Sequence, residues 1–113
     1  MKKKMREKAR KSDEAYFGVA WYHPEQWGRL REISADAAEL EATFEEWRVI
    51  AEKAMDNFAE LFVFPARVLV DVEELLVWCR GRKLAVNGEA RSQYVAWLLR
   101  EREKAAGKGR EEA

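Results

Sequence analysis

A chain of 113 residues, 48% apolar and 37% charged, has the size and balance of one folded domain rather than of a disordered polymer. Its 21 Lys plus Arg equal its 21 Asp plus Glu, so no net charge draws the whole molecule to nucleic acid or to a membrane. One cysteine and one histidine exclude an internal disulfide, a four-cysteine zinc site and every motif that needs two histidines.

The neutral total hides an uneven layout. Residues 1–11 hold seven basic groups and one acid, residues 12–66 four basic groups and twelve acids, and residues 67–113 ten basic groups and eight acids. A basic arm therefore precedes an acidic body. Residues 1–14 lack an apolar stripe and are expected to be a flexible arm, residues 15–105 a single α+β domain, and residues 106–113 a disordered tail. No run approaches the roughly 18 apolar residues of a membrane span. No apolar secretory segment follows the basic start. A soluble, cytoplasmic protein without membrane contact is the expectation.

In chain order, Tyr16-Phe17-Gly18-Val19-Ala20-Trp21-Tyr22 is aromatic and β-branched and predicts a strand ending at His23-Pro24. Pro24 suits the first turn of a short helix carrying Trp27, Leu30 and Ile33. After a connection with a turn of helix at 36–41, Thr43-Phe44-Glu45-Glu46 forms a capping box. Trp47, Ile50, Ala51, Ala54, Phe58 and Leu61 then recur at helical steps, and Pro65 closes the element. Arg67-Val68-Leu69-Val70-Asp71 reads as a second strand. Asp71 and Glu74 repeat the capping logic for a helix with Val72, Leu75, Leu76 and Cys79 inward and Gly81 as its stop. Asn87-Gly88 marks a turn before a last helix with Tyr94, Val95, Leu98 and Leu99.

The fold expected is thus α+β, strand–helix–helix repeated twice, with four helices on a two-stranded sheet and a hint of internal duplication. Antiparallel pairing is the expectation because it is the commoner arrangement. Two strands are marginal in water and leave open edges, so a homodimer joined through strand edges is also expected.

His23 is the residue suited to acid–base work near neutral pH, and it lies where a strand meets a helix. Parallel strands would set it beside Asp71; antiparallel strands would not. Cys79 sits on an apolar stripe and reads as a small buried hydrophobe rather than a nucleophile. Glu45, Glu46, Glu52, Asp56 and Glu60 share a helix without any Glu-x-x-His partner and read as a solvated face, not a metal site. The glycines form neither a phosphate loop nor a dinucleotide fingerprint. No catalytic residue, cofactor or metal is expected.

The early aromatic strand before Trp27, the run Leu40-Glu41-Ala42-Thr43-Phe44-Glu45-Glu46-Trp47, Val70-Asp71-Val72-Glu73-Glu74 with Trp78-Cys79, and Asn87-Gly88-Glu89-Ala90-Arg91 are all present. Over residues 16–100 this resembles small bacterial proteins of unknown function. The resemblance implies a bacterial cytoplasmic origin and supplies no activity.

A non-enzymatic protein-interaction or regulatory module is the first expectation. Trp21, Tyr22, His23, Trp97, Arg80, Arg82 and Lys83 are its candidate binding residues, and its partner is another protein or a second copy. The alternative is a nucleic-acid-associated regulator using the basic arm with Arg80, Arg82 and Lys83. A small enzyme centred on His23 stands third.

Overall fold

The computed structural model describes residues 17–112, so the basic arm anticipated at 1–14 lies outside the described residues. Two short strands, β1 (Gly18–Trp21) and β2 (Ala66–Leu69), pair side by side. They run parallel, with Gly18 opposite Ala66 and Trp21 opposite Leu69. This corrects the antiparallel expectation. Parallel neighbours need a long crossover, and the chain between β1 and β2 supplies one through two helices.

The crossover begins with a 3-10 turn at Pro24–Gln26, continuous with α1 (Trp27–Ile33). A second 3-10 turn at Ala37–Glu39 leads to α2 (Phe44–Glu60). At its start Thr43 Oγ1 accepts from the Glu46 amide, and Glu46 Oε1 accepts from the Thr43 amide, the reciprocal pair expected. After β2 come α3 (Val72–Gly81) and α4 (Gly88–Glu112). Asp71 caps α3 by accepting from the Glu74 amide at 3.1 Å. The backbone of α4 stays helical through 107–112, where composition suggests a disordered tail.

The sheet has a heavy side and a light side. A Cβ added to Gly18 would lie 2.7 Å from Val68 and about 3 Å from Val95 and Leu99, so α4 approaches the strand where glycine leaves room. On this side Leu30, Val68, Val70, Val72, Leu75, Cys79, Val86, Ala90, Tyr94 and Val95 form the core with Tyr22 and Trp27. On the other side lies α2, which buries only Ala51. Aromatic edges hold it: Phe17 meets Phe58 at 5.5 Å and Trp21 meets Trp47 at 5.1 Å. Ile50 and Leu61, placed on the inward stripe by spacing, are 54% and 71% exposed. The sheet is two strands wide, too narrow to cover the whole apolar flank of a 17-residue helix.

Two helix ends differ from the sequence reading. Helix α2 stops five residues before Pro65: Phe62 takes φ +60°, its amide donates to Ala59 O, and the Val63 amide donates to Phe58 O. Helix α3 ends in the same way, with Lys83 at φ +59° and the Leu84 amide donating to Cys79 O. Gly81 is simply the last helical residue. Both ends are Schellman caps in which a side-chain-bearing residue stands where glycine is usual. Among the described residues no helix is long and apolar enough to cross a membrane.

Candidate binding site

Parallel pairing places His23 and Asp71 at the same end of the sheet, the arrangement that an acid–base pair would need. Of the two side chains, that of Asp71 is engaged elsewhere. Asp71 is exposed and holds the first turn of α3. The neighbouring Val72 amide donates to Gln26 Oε1 at 3.0 Å. His23 is exposed, and among the described residues no hydrogen bond or ion pair joins it to a carboxylate. Cys79 is fully buried, and burial pushes its thiol upward against the weaker opposing pull of Arg91 and Arg82. The thiol is held in its protonated form.

The other anticipated binding residues are dispersed. Trp21 is half-buried, with the Arg67 guanidinium 4.3 Å from its ring centre and Trp47 against its edge. Tyr22 is buried against Trp27 and Trp47, and burial pushes its hydroxyl up to about 12. Arg80 and Lys83 are exposed near the end of α3. Folding brings Trp97 to Arg82, which lies 5.7 Å from the Trp97 ring centre and 4.2 Å from that of Trp78. Trp21, Tyr22 and Trp97 therefore do not share one patch.

Among the described residues, four of the eight exposed large apolar side chains lie in the loop after α2 and on β2. Leu61 is 71% exposed, Phe62 85%, Phe64 70% and Leu69 47%. Phe62 pays twice for its position, with a left-handed backbone costing about 1 kcal/mol and an aromatic ring left in water. The adjoining strand is open. The amides of Ala66 and Val70 donate to Phe17 O and Trp21 O, so the alternate residues Arg67 and Leu69 turn their backbone groups away from β1. No further strand pairs with β2 among the described residues.

Set against protein-family models, curated proteins and solved structures, the chain matches none. The surface must be read from its own chemistry. Charge does not guard the edge: Arg67 is bound by Glu52 at 3.0 Å and lies over Trp21. Pro65 and the four-residue length of β2 are the features that limit pairing there.

Sequence reading missed Leu61, Phe62, Phe64 and Leu69. The signal available was Phe62-Val63-Phe64-Pro65, an apolar run outside any periodic element. It also missed a polar tie. Arg91 donates to both oxygens of Asp36 at 2.9 and 2.8 Å and to Ser34 Oγ at 3.2 Å, while Asp36 accepts from the Gly88 amide. This fastens the start of α4 to the chain after α1. The Arg91 guanidinium holds the Asp36 carboxyl below its usual range, against the opposing effect of burial.

Proposed function

We propose that this chain is a non-enzymatic protein-interaction module whose first partner is a second copy of itself, docked through the Leu61–Phe64 loop and the open edge of β2. The observation that carries the reading is Phe62, 85% exposed in a backbone conformation that favours glycine. Strain and exposed apolar area concentrate where a surface is used. Aromatic side chains are the residues enriched in protein contacts. Antiparallel pairing of two β2 edges about a two-fold axis would convert two marginal two-stranded sheets into one of four strands. A cytoplasmic setting belongs to the same proposal, since a single buried cysteine makes no internal disulfide.

Light scattering at micromolar concentration tests it. The native chain is expected at twice its 13.2 kDa mass, and a Phe62→Asp, Phe64→Asp double variant at 13.2 kDa with an unchanged circular dichroism spectrum. A native chain that stays at 13.2 kDa overturns the proposal.

A further inference from the structure

A second surface, sharing no residue with the loop after α2, lies between α3 and α4. Glu73, Glu74, Val77, Trp78, Tyr94 and Trp97 line a cleft of about 360 Å³. Its walls are aromatic: Tyr94 and Trp97 stack at 6.0 Å, and Trp78 meets them at 5.3 and 6.1 Å. Glu73 and Glu74 complete the lining. Glu73 is bound by Arg29 at 2.7 Å, whereas the Glu74 carboxylate has no hydrogen-bond or ion-pair partner among the described residues.

We propose that this cleft seats an organic cation, an alkylated ammonium or guanidinium group, with its apolar surface on the rings and its charge facing Glu74. Aromatic faces attract cations through the ring quadrupole, and a nearby carboxylate adds to that attraction. The fold itself shows what these indoles accept, since the Arg82 guanidinium lies over both Trp78 and Trp97. Arg82 itself is not among the residues lining the cleft. The Tyr94 hydroxyl is pushed upward by burial first and then by Glu74, which sets that carboxylate's influence at the aromatic wall. Among the described residues Trp78 Nε1 is buried without an acceptor, so packing and the Arg82 guanidinium hold this ring rather than a hydrogen bond.

The test is a titration followed by the indole N–H signals in proton–nitrogen NMR spectra, using tetramethylammonium, N-methylguanidinium and the neutral isostere tert-butanol. Both cations are expected to shift the Trp78 and Trp97 signals saturably, and tert-butanol is not. Glu74→Gln should weaken binding about threefold, and Trp97→Leu about five- to tenfold. If Trp97→Leu does not fold, Glu74→Gln carries the test, because Glu74 is exposed. A capped trimethyl-lysine peptide that binds more tightly than tetramethylammonium marks a protein-borne cation; equal affinity marks a free one. No saturable shift with either cation, equal binding of tert-butanol, or unchanged affinity in Glu74→Gln overturns the proposal.

Discussion

Asp36 shows how one short side chain can join distant parts of a small fold. Its carboxylate is 18% exposed and its partner Arg91 12%, so the pair is shielded without being sealed. Asp36→Asn leaves Arg91 uncompensated and should cost about 2 kcal/mol, read as a lower midpoint in urea. The pH dependence has a definite sign. The folded-state carboxyl is held below its ordinary value, so its contribution is present above that value and lost as pH falls through the lowered one. Asp36→Asn should therefore flatten part of the acid limb of the stability profile and leave the neutral-to-alkaline slope unchanged. Cys79 illustrates the opposite use of burial, where loss of solvent keeps a group neutral.

Helix ends are where local preference and tertiary demand part company. The start of α2 follows its sequence, with Thr43 and Glu46 bonding reciprocally. Its end does not: Phe62 occupies the left-handed position of a Schellman cap. Phe62→Gly removes the unfavourable left-handed geometry but makes the unfolded chain more flexible. The expected result is stability unchanged or raised by up to about 1 kcal/mol, together with weaker self-association. A loss of more than 1 kcal/mol in the same urea experiment would assign Phe62 to packing rather than to contact with a partner.

At the scale of the molecule, the two faces of the sheet differ in how firmly they are covered. The side formed by α1, α3 and α4 contains the continuous core, whereas α2 rests on aromatic edges and the Arg67–Glu52 pair. Native-state hydrogen exchange should therefore show lower protection in α2 than in β2 and α3. Equal protection across all three would mean that α2 opens only with the whole domain. Pairing of two copies through β2 should raise protection at Arg67 and Leu69, whose backbone groups face outward in one copy.

Local chemistry made several elements readable in advance. A capping box, an N-cap aspartate and three- and four-residue apolar steps act over one or two helical turns, so Thr43, Asp71 and the stripes with Trp27, Leu75 and Tyr94 needed no distant partner. The α+β class followed from the same periodicities. Strand direction did not, because it depends on which end of the sheet the crossover returns to. Exposure of Ile50, Leu61 and Phe62 was equally illegible: periodicity marks an apolar flank, while the width of the surface opposite determines how much of it is covered. The loop surface and the α3–α4 cleft arise from residues adjacent only after folding, and their geometry belongs to the tertiary structure alone.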